Sequence, residues 1–170
     1  VEEQAKPDEN FPTVKSPNPE NPEALKMAVD LMKKEKADIV FGTDPDTDRL
    51  GIALLHKGEV VYPNGNQIGL LMLSYILETL KDKKSLPDNS YFVNTIVTTP
   101  LQKVIAEKYG VTTESTLTGF KWIGEKLRHY EETLCEKYLE ATGVALDYDA
   151  TPPESRAKLL QEYSTYYVFG

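Results

Sequence analysis

The chain has 170 residues, 27% of them charged, and a formal charge of −8 that results from 27 acidic and 19 basic side chains. This acidic balance disfavours a general binding surface for nucleic acid or anionic membrane. No apolar run approaches the roughly 18 residues needed to span a membrane, and the amino end shows no cleavable signal. The single cysteine, Cys135, has no internal disulfide partner. We therefore expect a globular, cytoplasmic protein without nucleic acid or membrane as a partner.

The first part of the chain is predicted to form an irregular start followed by a helix. Residues 1–20 are rich in Pro, Asn and Glu and lack periodicity, which favours an extended loop. Asn21 is the predicted cap and Pro22 the first turn of a helix that ends near Lys36. The apolar positions of this helix recur at helical spacing and are Leu25, Ala28, Val29 and Met32.

A short strand and a hairpin are predicted after this helix. Residues 38–41 predict a short buried strand. Residues 50–55 and 59–62 predict a hairpin that turns at Lys57 and Gly58. The connection between the strand and the hairpin therefore begins at the carboxyl end of a strand, where open α/β sheets place their ligands.

That connection reads Gly-Thr-Asp-Pro-Asp-Thr-Asp-Arg over residues 42–49. If it is extended, Asp44, Asp46 and Asp48 point the same way and can converge on one point. Carboxylates that close repel one another unless a cation lies among them, and a hard divalent ion is the simplest candidate. The adjacent Arg49 indicates an anionic ligand beside the metal. A solvated acidic turn is the alternative, because Asp and Pro are ordinary turn residues.

Two familiar acidic patterns fit the connection poorly. An EF-hand loop requires Gly at its sixth position and Glu at its twelfth, where this chain has Arg49 and Leu55. A phosphatase of the Asp-x-Asp-x-Thr/Val kind uses a carboxylate nucleophile and needs Thr or Val where this chain has Asp48. The sequence therefore argues against an EF-hand and disfavours that phosphatase.

The turn cluster at residues 63–66 is a plausible domain boundary, and a new helix is predicted to begin there. Asn66 is its predicted cap. Its predicted apolar face consists of Ile68, Leu71, Met72, Tyr75, Ile76 and Leu80. The charged segment 81–89 then links this helix to a strand over residues 91–97.

Helices and strands are predicted to alternate over the remaining residues. Thr99 and Pro100 begin a helix that ends at Gly110. The positions at helical spacing in it are Leu101, Val104, Ile105 and Lys108. A strand over residues 111–116, a helix from Gly119 to about Tyr138 and a strand over residues 165–169 follow. Such an alternation of strands and helices is typical of a three-layer α/β/α unit.

The acidic motif has ordered companions along the chain. Residues 44–49 read Asp-Pro-Asp-Thr-Asp-Arg, and residues 116–124 read Thr-Leu-Thr-Gly-Phe-Lys-Trp-Ile-Gly. The other companion segments are residues 4–8, 11–13, 17–20 and 65–69. Together these segments resemble the phosphohexomutase superfamily of phosphoglucomutases and phosphomannomutases, in which the acidic motif is the metal-binding loop. The form Thr-Gly-Phe-Lys is similar to the phosphoglucomutase and phosphopentomutase branch.

The resemblance implies roles for seven residues. The Mg²⁺ ligands would be Asp44, Asp46 and Asp48. Arg49 would be the catalytic partner of the phosphate. The substrate-binding residues would be Thr118, Gly119 and Lys121. From the residues alone, Thr118 can equally be a helix cap and Lys121 can lie on a solvated helix face.

The resemblance also implies a fold and a domain organisation. We expect an α/β protein, three-layer α/β/α with a mixed sheet. Residues 1–62 would be the carboxyl-terminal part of mutase domain 2, and residues 63–170 would be domain 3, incomplete at its carboxyl end. Residues 133–164 fit the family least well and are interpreted as an insertion. Because the family has four domains and the chain begins at Val1, we expect a fragment whose partners are domains 1 and 4 of the same chain.

The expected function is that of a phosphosugar mutase. In the family, a phosphoserine of the first domain phosphorylates a sugar monophosphate, and the resulting bisphosphate returns its other phosphoryl group. Sugar phosphate would be the substrate, Mg²⁺ the metal and glucose 1,6-bisphosphate the activator. The chain lacks the serine loop, so we expect the fragment alone to be inactive. The alternatives are a non-catalytic module that binds sugar phosphate or metal, and a metal-dependent sugar phosphatase.

Overall fold

The computed structural model describes residues 1–169, and the chain divides into two compact units, Val1–Ile68 and Gly69–Gly170. The first unit contains a helix on an antiparallel sheet, and the second contains helices around a parallel sheet. The predicted α/β class is therefore confirmed, with antiparallel and parallel pairing in separate three-stranded sheets. Within residues 1–169, no helix combines the length and the apolar character that a membrane crossing requires.

In the first unit, helix α1 (Lys26–Glu35) begins later than the sequence predicts. The backbone amide of Ala24 donates to the carbonyl of Asn21, and that of Leu25 donates to the carbonyl of Pro22, so tight turns precede the helix. The predicted cap at Asn21 is therefore wrong. The predicted end is confirmed, because Lys36 closes the helix with a left-handed φ of 56°.

The sheet of the first unit contains β1 (Ile39–Thr43), β2 (Leu50–His56) and β3 (Glu59–Val61) in that order. The hairpin turn is confirmed, with Lys57 at φ 51° and Gly58 at φ 85°. Both values are left-handed, which matches the twist of a two-residue hairpin. The expected burial of β1 is wrong, because Ile39 is 40% and Phe41 63% exposed. Strand side chains alternate, so helix α1 covers only the face that carries Val40.

Two facing glycines let the amino-terminal segment and α1 approach this sheet. Gly42 of β1 and Gly51 of β2 are partners in the strand register. A Cβ atom on Gly51 would overlap the carbonyl of Pro19, and one on Gly42 would overlap the side chain of Leu25. The acidic connection is therefore flanked by strands on which residues 19 and 25 are tightly packed.

In the second unit, strands β4 (Ser90–Thr95), β5 (Thr112–Thr116) and β6 (Tyr166–Phe169) form a parallel sheet in the order β5, β4, β6. Helices α2 (Gly65–Asp82) and α3 (Leu101–Lys108) lie on one face. Their core is Leu73, Leu77, Phe92, Ala106 and Val111.

Helix α4 (Phe120–Thr142) lies on the opposite face of the parallel sheet. The ring of Tyr130 is 5.9 Å from that of Tyr91, the neighbour of Phe92 in β4. The ammonium of Lys126 is 3.0 Å from the carboxylate of Glu114 in β5. Helices on both faces make three layers, as the sequence predicts.

The predicted cap and apolar faces of α2 and α3 need correction. Asn64, not Asn66, caps α2, because its side chain accepts from the amide of Gln67 while the Gln67 side chain accepts from the amide of Asn64. The buried residues are Leu73 and Leu77 in α2 and Gln102 and Ala106 in α3. The residues predicted to face the core that are instead exposed are Leu71, Met72, Tyr75, Leu101 and Val104.

Residues 133–164 extend α4 and return along it. Helix α4 ends at Gly143, which has a left-handed φ of 73°. Helix α5 (Pro153–Tyr163) begins at the second proline of the Thr-Pro-Pro segment, residues 151–153. It packs against α4, where the rings of Tyr138 and Tyr163 meet edge to face at 5.4 Å.

Candidate metal centre and substrate loop

The acidic connection is a tight turn between two paired strands. Thr43 at the end of β1 is the register partner of Leu50 at the start of β2. The amide of Thr47 donates to the carbonyl of Asp44 at 3.1 Å, and Thr47 has a left-handed φ of 60°. The extended geometry on which the predicted convergence depended is therefore wrong, and a turn brings the carboxylates together instead.

The structure places all three predicted ligands around one point. One carboxylate oxygen each from Asp44, Asp46 and Asp48 lies within 4.8 Å of the other two. Oxygens that share one octahedral Mg²⁺ are separated by at most about 4.2 Å, so a small inward shift suffices. Among residues 1–169 this is the one such group of three His, Cys, Asp or Glu side chains. The donor set therefore fits a hard divalent cation.

The three carboxylates have unequal surroundings. The side chain of Asp44 is 10% exposed and that of Asp48 59%. Desolvation would raise the pKa of Asp44, but the hydrogen bond donated by the Arg49 amide and the side-chain hydrogen bonds with Asp48 and Asp46 together lower it. The pKa of Asp48 is raised by its hydrogen bond with Asp44 and by the charge of Asp46, which Arg49 offsets only in part. Without a cation, the turn thus favours ionised Asp44 and disfavours ionised Asp48.

Arg49 closes the turn and leaves its guanidinium accessible. Its backbone amide donates to Oδ1 of Asp44 at 3.1 Å. Its Nε lies 3.8 Å from Asp44 Oδ2 and 3.9 Å from Asp48 Oδ1, and the side chain is 57% exposed. These separations are long for charge-assisted hydrogen bonds, so the guanidinium retains donors for an anion beside the carboxylates.

The predicted substrate residues lie together at the start of α4 in the second unit, with Thr118 and Gly119 on the preceding loop and Lys121 in the first turn of the helix. Gly119 has a φ of 116° and occupies the cap position before Phe120. The exposed hydroxyl of Thr118 forms no hydrogen bond with any residue in the described part of the chain. Lys121 places its ammonium 4.5 Å from the centre of the Trp122 ring. Thr118 therefore does not act as a helix cap, and its hydroxyl is accessible to a ligand.

The sequence reading missed a polar network beneath this loop. The hydroxyl of Ser115 donates to Oδ1 of Asn94 at 2.7 Å. The hydroxyl of Thr116 is 3.3 Å from the carbonyl of Asn94. The hydroxyls of Thr95 and Thr98 are 3.0 Å apart. A sequence signal for this network did exist, because hydroxyl and amide side chains are frequent near the carboxyl ends of two consecutive predicted strands.

Two models of one protein family match successive segments of the chain. Residues 1–58 match "Phosphoglucomutase/phosphomannomutase, alpha/beta/alpha domain II". Residues 64–138 match "Phosphoglucomutase/phosphomannomutase, alpha/beta/alpha domain III". The chain belongs to the phosphoglucomutase/phosphomannomutase family. The three aspartates fall in the domain II match, and residues 118–121 fall in the domain III match.

Individual relatives are consistent with this family assignment. Phosphoglucomutase from Staphylococcus aureus strain bovine RF122 / ET3-1 is 41% identical over 133 residues, which is 78% of this chain and 23% of that protein. The crystal structure of a phosphoglucomutase/phosphomannomutase family protein from Burkholderia thailandensis aligns with a TM-score of 0.52 at 26% identity. That alignment covers 72% of this chain and 24% of the other. The chain thus spans about a quarter of the length of these relatives.

Proposed function

We propose that the chain is part of a Mg²⁺-dependent phosphosugar mutase. The reaction would move a phosphoryl group between the 1-position and the 6- or 5-position of a sugar phosphate. The observation that carries the proposal is the convergence of Asp44, Asp46 and Asp48 within residues matched by the family's domain II. Relatives named phosphoglucomutase support sugar phosphate as the substrate class. Cytoplasmic location, expected from the composition, belongs to the same proposal.

The proposal assigns the chain to the middle of a longer protein. Residues 1–62 would end domain 2 and residues 63–170 would form most of domain 3, with residues 133–164 as an insertion. Domains 1 and 4 of the same polypeptide would be the partners of these two. The coverage of 23% of the first relative supports this arrangement.

In this proposal the three aspartates and Arg49 have different roles. A Mg²⁺ ion held by the three aspartates would supply positive charge that stabilises the negative charge of a phosphoryl group in transfer. Arg49 would orient that phosphate through its accessible guanidinium. The backbone amide of Arg49 donates to the carboxylate of Asp44. A phosphate that binds the Arg49 side chain would therefore also affect the position of the Asp44 carboxylate.

The remaining steps require groups outside this chain. We propose that a phosphoserine of domain 1 transfers its phosphoryl group to a hydroxyl oxygen of the sugar monophosphate. The resulting bisphosphate then returns its other phosphoryl group to the serine oxygen, which restores the phosphoserine. Glucose 1,6-bisphosphate would act as the activator because it can phosphorylate an unmodified serine. Thr118, Gly119 and Lys121 would bind the sugar phosphate during these transfers.

The decisive experiment uses the full-length gene product with glucose 1-phosphate, Mg²⁺ and trace glucose 1,6-bisphosphate. We expect formation of glucose 6-phosphate, and we expect Asp46→Ala to lower kcat about 100-fold by removing a metal ligand. Asp38→Ala, which removes an exposed aspartate outside the turn, is the matched control and should retain activity.

Each other outcome of this experiment has a defined meaning. Unaltered turnover by Asp46→Ala would contradict the metal assignment. Release of inorganic phosphate would identify a sugar phosphatase. Absence of both products from a folded full-length protein would favour a non-catalytic binding module. The chain by itself should turn over no substrate.

A further inference from the structure

We propose that Thr116 is a positioning residue for the substrate loop, which consists of Leu117, Thr118 and Gly119. This inference rests on the proposed function, because that function makes the loop a sugar-phosphate contact. Thr116 does not face the substrate in this scheme. It acts on substrate binding by fixing the backbone that carries Thr118.

Thr116 connects the end of β5 to the loop and to β4. Its hydroxyl oxygen lies 3.0 Å from the carbonyl oxygen of Leu117 and 3.3 Å from that of Asn94. The single hydroxyl hydrogen can serve either carbonyl. The carbonyl of Thr116 in turn accepts the amide of Ile96 at 2.9 Å. One buried residue therefore joins the loop to the carboxyl ends of two adjacent strands.

The surrounding network holds Thr116 in place. Thr116 is 9% exposed and Asn94 is 8% exposed, so both polar side chains lie in a largely desolvated layer. Ser115 donates to the amide oxygen of Asn94 at 2.7 Å, next to Thr116 in the ladder. A hydrogen bond in such a layer costs more to lose than one at the surface, because water cannot replace it readily.

The substrate loop itself has little other support. Leu117 is 53% exposed and Phe120, the first residue of α4, is 78% exposed. Gly119 adopts a φ of 116°. Because glycine has no side chain, this residue adds no packing contacts that would hold the loop rigid. The carbonyl of Leu117 belongs to the peptide that leads into Thr118. Its hydrogen bond with Thr116 therefore sets the direction in which the Thr118 hydroxyl is presented.

Two substitutions distinguish the effect of the Thr116 hydroxyl from the effect of the side-chain shape. Thr116→Val keeps the branched side chain and removes the hydroxyl, whereas Thr116→Ser keeps the hydroxyl and removes the methyl group. In the full-length protein we expect Thr116→Val to raise the KM for glucose 1-phosphate about three- to tenfold, the equivalent of one net hydrogen bond. We expect kcat to stay within about twofold and Thr116→Ser to restore the KM to within about twofold of the parent value. An unchanged KM in Thr116→Val, or equal impairment in Thr116→Ser, would overturn the inference.

Amide hydrogen exchange of the full-length protein gives a readout that does not depend on turnover. Exchange at residues 117–120 should become about three- to tenfold faster in Thr116→Val but not in Thr116→Ser, while exchange in β4 stays the same. Unchanged exchange in that segment would overturn the positioning role. If the parent protein fails to convert glucose 1-phosphate, the proposed function is wrong, and hydrogen exchange still decides whether Thr116 fixes the loop.

Discussion

At the scale of single residues, Asp48 illustrates the cost of assembling three carboxylates without a cation. Its hydrogen bond with Asp44 and the charge of Asp46 raise its pKa above the ordinary value of 3.8. An acid whose pKa is higher in the folded state weakens folding once it is ionised. The penalty grows as the pH rises from the ordinary pKa of 3.8 through the raised pKa, and it is complete above the raised pKa. A divalent cation at the turn would remove this penalty through its opposite charge.

Replacement of Asp48 by Asn should therefore have opposite effects with and without metal. In metal-free buffer at neutral pH, we expect Asp48→Asn to raise the Tm slightly, because it removes a repelled and exposed charge. Addition of MgCl₂ should raise the Tm of the parent protein but not that of the variant. Asp38→Asn, an equal charge change at an exposed position outside the turn, should keep the response to Mg²⁺. An Mg²⁺ response in Asp48→Asn equal to that of the parent would remove Asp48 from the ligand set.

The sequence predicted which residues of this turn come together, but it did not predict the backbone conformation that brings them together. The spacing of Asp44, Asp46 and Asp48 predicted that they meet, and they do. The extended path was wrong because Thr47 adopts a φ of 60°. A β-branched residue rarely adopts that conformation, so a local sequence rule argues against the turn that forms. The register between Thr43 and Leu50 compensates by bringing the two ends of the connection together.

At the scale of elements, the Gly42 and Gly51 pair determines how closely the amino-terminal segment approaches β1 and β2. We expect Gly51→Ala to destabilise the protein by about 1–3 kcal/mol, because the new methyl group must displace the backbone of Pro19. Backbone has no alternative rotamer to adopt, so the strain cannot be relieved locally. Urea unfolding followed by circular dichroism measures the difference.

A second glycine is the matched control for this substitution. Gly124 lies on an exposed part of α4, and a Cβ atom there would meet nothing within 4 Å. We expect Gly124→Ala to stabilise the protein by up to about 1 kcal/mol through its helix propensity. Equal effects of the two substitutions would show that close packing at Gly51 is not the cause.

Helix α5 depends on one side chain that precedes β4. The side-chain amide of Asn89 donates to the carbonyls of Gln161 and Ser164, both at 2.9 Å. These carbonyls lie at the end of α5 and just beyond it, where no helical amide can reach them. We expect Asn89→Ala to cost about 1–2 kcal/mol in the stability of α5. The check is faster amide exchange over residues 153–163, with Asp88→Ala as the neighbouring control and unchanged exchange as the contrary result.

Helix existence was more predictable than helix orientation. The end of helix α1 near Lys36 was predicted from the sequence, and it holds in the structure. The buried face of α2 was wrong because apolar residues surround the helix, so periodicity does not select one side. Leu73 and Leu77 are buried while Leu71 is 64% exposed. Only the position of the sheet determines which of these residues enters the core.

At the scale of the whole molecule, the fold class followed from the order of elements and from the family resemblance. The alternation of strands and helices after residue 90 is local information, and it predicted the three layers around the parallel sheet. The polar residues of the network of Asn94, Ser115 and Thr116 are visible in the sequence, but their hydrogen bonds were not predictable, because they join strands that are distant in sequence. Its members meet only through the pairing of β4 with β5.

The division of the chain into two compact units predicts where Mg²⁺ acts. All three candidate ligands lie in Val1–Ile68 and none in Gly69–Gly170. Binding to the folded state at about 100 times the Kd stabilises by about 2.7 kcal/mol, which slows exchange through unfolding about 100-fold. We therefore expect MgCl₂ to slow amide exchange in β1 and β2 directly. Exchange in β4 and β5 should change less.

A control for ionic strength is essential to this last experiment, because the chain carries a formal charge of −8. Any salt screens the repulsion among its carboxylates and can stabilise both units without occupying a site. Potassium chloride at matched ionic strength should therefore give small and similar changes in β1 and in β4. The specific effect is the additional protection of β1 and β2 in Mg²⁺, and Asp46→Ala should abolish it. Protection that survives in Asp46→Ala, or that matches the effect of potassium chloride, would mean that the acidic turn is only a solvated loop.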